Sequence, residues 1–397
     1  MTSRPRLVSV APLALVVTLA VALGACTSSA TVARPTPAST APAAPATATA
    51  PTTPATSAAP AAPAAPAVPA VPAAATAPAV AAEIAPPTPF DLSRSDIDGW
   101  IGQIATRHAI PAGEVRALLA EGRSQPRIIA AISRPAESVL TWWQYSERLV
   151  SETRIAQGVQ FWRENRARLE TISARTGVDP AYLVAIVGIE TSYGRGAGAW
   201  RVLDALMTLG FDYPPRANFF RGELEQFVLL AREEKLDPRT TLGSYAGAMG
   251  APQFIPSSYR RLAVDGSGDG RRDLFKDWDD VLASVANYFV ASGWQRGGRV
   301  LAEATAPAEV IAGLDRRNLD LDSTAGALRA RGVQFDTAIP ADERVLLIPA
   351  ERRDGPGVRL GFGNFRVITR YNRSILYAMA VHDIAQAVRV RIEAEPR

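Results

Sequence analysis

The sequence predicts an α+β fold that is mainly α: a helical domain interrupted late in the chain by a small β-containing insertion. Three observations carry this. Apolar residues recur at three- and four-residue spacing through most of 95–292. Between residues 299 and 371 the pattern changes to short strand-like runs, such as 345–349 and 358–369, split by Gly and Pro. A helical pattern then returns over 374–390, with Ile375, Ala378, Met379 and Ile384 on one side.

The chain has 397 residues, but its beginning is not domain material. Arg4 and Arg6 precede an almost wholly apolar stretch, Leu7 to Leu23, which reads as a secretory signal. It ends Leu23-Gly24-Ala25-Cys26, a bacterial lipobox in which the cysteine is lipidated and becomes the new N-terminus. Cys26 is the sole cysteine, so no internal disulfide can form. Acyl chains, at about 0.8 kcal/mol per buried methylene, would make such an anchor effectively permanent. Thr27 is not the Asp that retains many lipoproteins at an inner membrane, so an outer-membrane anchor facing the periplasm is expected. Residues 27–88 are nearly all Ala, Pro, Thr and Ser and cannot bury a core. They read as a disordered, partly extended linker that reaches up to about 190 Å at ~3.1 Å per residue.

The formal charge of +4 comes from Lys and Arg scattered among acids, without a basic run. That excludes nucleic acid as a partner and permits only a modest attraction to an anionic polymer.

In the folded part, 95–108, 112–122 and 127–132 show helical spacing with caps or breakers between them. The period continues over 139–175, where Trp142, Trp143, Tyr145, Phe161 and Trp162 serve mainly as core. Thr176-Gly177 ends that run. Asp179-Pro180 is an N-cap and first-turn pair, and the residues after it are apolar on every face up to Glu190. This is a helix buried on all sides that closes on an acid.

An ionised carboxylate is costly to bury, so Glu190 must be paired, hydrogen-bonded or partly protonated. Two readings stand. An apolar wall that lifts its pKa by about two units, or roughly 2.7 kcal/mol, makes it a proton donor near neutral pH. Alternatively, Arg195 or Arg201 holds it as a structural ion pair.

Further helices are expected over 200–208 and 219–235. The stretch 241–259 is rich in small residues that let a ligand approach the backbone, and Ser244, Tyr245 and Gln253 add hydrogen-bonding groups. It serves equally as a tight helix-packing segment. In Asp265-Gly266-Ser267-Gly268-Asp269-Gly270-Arg271, oxygen side chains alternate and Gly stands sixth, as in the first half of an EF-hand loop. The twelfth position is Lys276, so a longer loop closed by Asp277, Asp279 or Asp280 competes with a simple capped turn. Residues 278–292 are helical. His108 and His382, the only histidines, lie on ordinary helical segments, which argues against histidine catalysis or a His-ligated zinc. No phosphate loop or dinucleotide fingerprint occurs, and a carboxylate is the best available catalyst.

Several motifs occur together and in order: Glu190-Thr191-Ser192-Tyr193-Gly194-Arg195, Ser244-Tyr245-Ala246-Gly247-Ala248-Met249-Gly250 and Gln253-Phe254-Ile255-Pro256-Ser257-Ser258, followed by the Asp265 loop, Ala286-Asn287-Tyr288-Phe289 and Arg370-Tyr371-Asn372-Arg373-Ser374. The set resembles the membrane-bound lytic murein transglycosylases of the B type, over about residues 90–392. Ile255, where that family often has Met, is a departure.

The resemblance implies a lysozyme-like catalytic core over 176–298. A helical subdomain over 89–175, a small β-containing subdomain over 299–369 and a returning C-terminal helix over 370–397 complete the folded part, after a signal of 1–26. It implies non-hydrolytic cleavage of the β-1,4 bond between N-acetylmuramic acid and N-acetylglucosamine in peptidoglycan, leaving 1,6-anhydromuramoyl ends. Glu190 matches the family's single catalytic acid, first acid and then base. Ser244, Tyr245, Gln253, Tyr288, Tyr371 and Asn372 match the glycan groove. Asp265, Ser267, Asp269, the Arg271 carbonyl and Asp280 match a calcium loop, with Asp279 the alternative closing ligand. The chemistry needs no cofactor, and calcium would be structural. Peptidoglycan strands are the implied partner of a membrane-anchored monomer. Two other readings remain: a hydrolytic muramidase of similar fold, and a non-catalytic peptidoglycan-binding lipoprotein.

Overall fold

The computed structural model describes residues 85–133 and 140–395. The signal, Cys26 and all but the last residues of the linker lie outside the described residues.

After a short strand β1 (Thr88–Pro89), helices α1 (Ser95–His108) and α2 (Ala112–Ala120) lead to β2 (Arg123–Ser124), which pairs antiparallel with β1. Helix α3 (Pro126–Ile132) follows. The single helical run expected over 139–175 is three helices, α4 (Trp142–Leu149), α5 (Glu152–Glu164) and α6 (Arg166–Thr176). Ser151 breaks it by accepting the Arg154 backbone N–H as an N-cap. Asn165 breaks it again by donating its side-chain amide to the Phe161 carbonyl. Gly177, at φ +73°, ends α6.

Helix α7 (Pro180–Thr191) starts where expected, its Asp179 cap accepting the Ala181 N–H at 2.9 Å, and every residue from Ala181 to Thr191 is buried. Strand β3 (Trp200–Arg201), α8 (Val202–Phe211) and α9 (Ala217–Glu233) come next. Strand β4 (Leu242–Gly243) pairs with β3, and α10 (Pro256–Leu262) and α11 (Trp278–Ala291) complete the central helices.

The insertion comprises β5 (Leu301–Ala304), α12 (Ala308–Ala312), β6 (Ser323–Thr324), α13 (Ala325–Ala330), β7 (Arg344–Pro349) and β8 (Val358–Gly361). Its sheet is antiparallel in the order β5-β8-β7-β6. Strand β7 separates two cores. Val345 and Leu347 face a small core with Leu328, Val358 and Leu360, while Leu346 and Ile348 face the main one. The period of two along a strand makes this division possible, and it explains why β7 is apolar without alternation.

The strand expected over 358–369 ends at Gly361, and the rest is helix α14 (Gly363–Tyr371). Val367, Ile368 and Thr369 suggest strand by their branched side chains, but Phe365 and Ile368 on one helical face pack into the main core, and that burial outweighs local preference. Helix α15 (Ile375–Glu393) begins at Ser374, whose hydroxyl accepts the Tyr377 N–H, and packs along α7, α5 and α4. Among the described residues no single helix is long and apolar enough to cross a membrane.

Candidate active site

Glu190 occupies the last turn of α7 and is 8 % exposed. Its Oε1 accepts a 2.6 Å hydrogen bond from the Tyr377 hydroxyl. Tyr377 is wholly buried in the first turn of α15, so the packing of α15 on α7 places the donor. Arg201, one of the cations expected to hold Glu190, is turned to Asp204 and the Glu121 carbonyl instead. Arg195 is exposed and lines a separate surface pocket with Tyr193 and Trp278.

Two further tyrosines stand near the acid. The Tyr371 hydroxyl donates to the Pro252 carbonyl and that of Tyr288 to the Arg370 carbonyl, each at 2.6 Å. Their ring centroids are 4.6 Å apart, and Phe254 packs on both. Burial, reinforced by the negative charge of Glu190, lifts Tyr371 and Tyr377 well above the ordinary tyrosine pKa. Tyr288 is pushed up to about 12, again chiefly by burial. All three phenols therefore stay protonated across the physiological range. They can donate hydrogen bonds but cannot act as bases.

The backbone after Glu190 is tightly constrained. Ser192 (φ 49°), Tyr193 (φ 63°) and Gly194 (φ 83°) are consecutive left-handed residues that reverse the chain. The Thr191 hydroxyl ties this turn to the Ala251 carbonyl at 2.9 Å and accepts the Gly194 N–H. The Tyr193 hydroxyl reaches back to the Arg154 carbonyl at 2.9 Å, passing between α5 and α7 at two glycines. A Cβ on Gly158 or on Gly188 would fall 2.5 Å from that oxygen. Glycine costs about 1 kcal/mol relative to Ala in a helix interior, and here it makes room for the phenol that anchors the turn.

The other expected groove residues fall into different settings. Gln253 is half-buried at φ 50°, its amide donating to the Ala197 and Gly250 carbonyls. Tyr245 is half-buried, and its neighbour Arg216 lies over the rings of Phe219 and Phe220. Asn372 is 3 % exposed, and its amide nitrogen has no hydrogen-bond partner among the described residues. Ser244 is buried, and its hydroxyl accepts the Ala246 and Ala248 N–H groups, closing a turn.

The sequence reading did not single out Tyr377, although a signal for it exists. Tyr377, Val381, Ile384 and Val388 share one helical face, and a tyrosine on so apolar a face must find a partner for its hydroxyl.

Asp265, Ser267 and Asp269 are exposed on one loop, with Gly270 left-handed at the sixth position. Oxygen-only donors in this order suit calcium. The Asp265 carboxylate accepts the N–H groups of Gly268, Asp269 and Gly270, and Asp269 accepts that of Arg271. Asp280 is wholly buried and accepts the N–H groups of Gly266, Ser267 and Asp273, bracing both ends of the loop. Asp279 bonds Arg168. Among the described residues no three acid, His or Cys side chains converge on one point. The loop thus fits calcium in donor type and order, while its carboxylates are turned onto its own backbone.

Both histidines are held by side chains of neighbouring helices. His108 meets Glu225 at 2.7 Å, and His382 Nδ1 lies 2.8 Å from the Tyr182 hydroxyl.

The chain is 35 % identical over 300 residues to membrane-bound lytic murein transglycosylase B of Escherichia coli, covering 73 % of this chain and 81 % of the relative. The crystal structure of soluble lytic transglycosylase SltB1 from Pseudomonas aeruginosa superposes with a TM-score of 0.71 at 41 % identity, covering 75 % of this chain and 99 % of that one. The Escherichia coli lytic transglycosylase Slt35, solved in complex with calcium, superposes with a TM-score of 0.70 at 34 % identity, covering 77 % and 97 %. Residues 94–386 match the family model described as the transglycosylase SLT domain, and the chain belongs to that family as an enzyme of the lytic transglycosylase type.

Proposed function

We propose that this enzyme cleaves the β-1,4 bond between N-acetylmuramic acid and N-acetylglucosamine in peptidoglycan without water, with Glu190 as the only acid–base group. Protonated Glu190 delivers its proton to the glycosidic oxygen as the bond to C1 breaks. The resulting carboxylate then takes the proton of the muramoyl C6 hydroxyl, whose oxygen attacks C1 and closes the 1,6-anhydro ring. Because the nucleophile is part of the substrate, a high effective molarity replaces an activated water.

The observation that carries this reading is the buried Glu190 carboxyl held by the Tyr377 hydroxyl at 2.6 Å. The three other buried acids among the described residues support a one-acid mechanism, since each is committed elsewhere. Asp204 accepts the Arg123 N–H and the Gln125 amide, Glu223 accepts two bonds from Ser257, and Asp280 braces its loop. Ser244, Tyr245, Gln253, Tyr288, Tyr371 and Asn372 are assigned to the glycan groove.

The name of the Escherichia coli relative supports the membrane anchor at Cys26, with the 27–88 linker carrying the enzyme out to the wall. The calcium held by Slt35 supports a structural calcium on the 265–271 loop. The test is the product mass from purified sacculi. Anhydro ends one water lighter than reducing ends are expected, and reducing ends would replace this mechanism with hydrolysis.

A further inference from the structure

One buried charge has no place in the proton transfers described so far. Arg154, in the first turn of α5, is 9 % exposed and is the only Lys, Arg or His among the buried described residues. A guanidinium is costly to bury, and a carboxylate partner is the usual compensation. Arg154 has no ion-pair partner among the described residues. Its Nε donates to the Gly188 carbonyl at 3.1 Å, and its Nη1 donates to the Leu149 carbonyl at the end of α4.

Gly188 lies in the last turn of α7, two residues before Glu190, and its carbonyl also accepts the Ser192 N–H that closes the helix. The backbone carbonyl of Arg154 in turn accepts the Tyr193 hydroxyl at 2.9 Å. Arg154 therefore grips the chain on both sides of the acid, with its charge before Glu190 and its carbonyl after it.

The helix end gives that charge a use. The last carbonyls of α7 form the negative end of its macrodipole, which opposes a carboxylate at Glu190. Phenols pack around the acid from other elements: Tyr377 of α15, Tyr371 of α14 and Tyr288 of α11, with Tyr145 of α4 close to Tyr377 and Arg154. A phenol donates a hydrogen bond but brings no positive charge. Arg261 of α10 and Arg370 of α14 act on Tyr288, yet the first is exposed and the second half-buried, so solvent screens them.

We propose that Arg154 is a positioning residue for Glu190: bonded to the Gly188 carbonyl, its guanidinium offsets the negative helix end and lets Glu190 hold the carboxylate that must take the C6 hydroxyl proton. This inference rests on the function proposed above. It adds how one buried side chain serves first as acid and then as base. Loss of the charge leaves proton donation possible but makes the carboxylate it generates less stable.

The test is the pH profile of anhydro-end release from purified sacculi by the full protein and its Arg154→Gln, Arg154→Lys and Tyr193→Phe variants, with folding checked by melting temperature. Arg154→Gln keeps a donor for the carbonyl and removes the charge. It should lower kcat about tenfold with KM within about twofold, and move the alkaline limb up by about half a unit to one unit. Arg154→Lys keeps the charge and should return the limb to its wild-type position. Tyr193→Phe loosens the turn without touching the charge, and should lower kcat with the limb in place. A limb that stays in place in folded Arg154→Gln makes Arg154 a structural tie and overturns the proposal. A limb displaced in either charge-retaining variant overturns it too, even if Arg154→Gln does not fold. Reducing ends from the unaltered protein would refute the one-acid mechanism itself, and this inference with it.

Discussion

Glu190 and Glu223 are both buried glutamates on helices, and their surroundings treat a negative charge differently. Glu223, on α9, faces the start of α10 and accepts the Ser257 backbone N–H at 2.9 Å and its hydroxyl at 2.7 Å. Burial raises its pKa, while these two donors and the charges of Arg261 and Arg216 pull the other way. Glu190 stands at the opposite kind of helix end, where the macrodipole disfavours an anion, and its Oε1 is met by a phenol. Burial alone therefore does not mark a proton donor. On the proposed mechanism, the position of the carboxylate relative to helix ends and donors is what separates a structural clamp from a reactive group.

Substitutions can test that contrast. The largest effect is expected for Glu190→Gln, which keeps shape and packing but removes the acid. Release of anhydro products, measured by mass spectrometry, should fall about 10²- to 10⁴-fold with an unchanged circular dichroism spectrum. Wild-type turnover would end the distinction. Tyr377→Phe should cost about 10- to 100-fold, the worth of a hydrogen bond to a charged group. It should also move the alkaline limb of the kcat/KM profile to higher pH, because the carboxylate loses a bond that favours its charged form. A profile that falls without moving would reduce Tyr377 to a space filler.

Glu223→Gln should do the reverse, leaving activity within about twofold while lowering unfolding stability by about 1–3 kcal/mol in a denaturant titration. A loss of activity matching that of Glu190→Gln would erase the comparison. The smallest effect concerns the far end of the α7–α15 contact. There burial, aided by the charges of Arg359 and Arg389, holds His382 down to about 3. The folded protein keeps this imidazole neutral, whereas the unfolded chain takes a proton near pH 6.5. Its contribution is therefore complete above that pH and is lost on acidification, by up to about 1.4 kcal/mol per unit. His382→Gln should flatten the dependence of the melting temperature on pH between 6.5 and 5, and an unchanged slope would assign it to another group.

Local signals carried much of the architecture. The bounds of α1, the Asp179-Pro180 start of α7 and the Gly177 stop depend on neighbouring residues, and a reader of the chain can find them. The burial of Glu190 was legible for the same reason, since an apolar helix closing on Glu is conspicuous. What stayed hidden depends on long-range packing. Tyr377 lies 187 positions from Glu190, and nothing near either residue announces the pair. The two bonds that the Ser244 hydroxyl accepts were hidden as well, because sequence does not show that Gly247, in a left-handed conformation, turns the chain back over it. The start of α14 was hidden by branched residues whose local preference is for strand.

The phenol of Tyr193 seated between Gly158 and Gly188 has a practical corollary. An engineer seeking heat resistance would choose these two glycines early, because alanine in a helix interior gains about 1 kcal/mol. Here a methyl group would displace the ring that holds the reversed chain behind Glu190. The stiffer helix would come with a misplaced acid, so a library screened on melting temperature alone would select against turnover at these two sites.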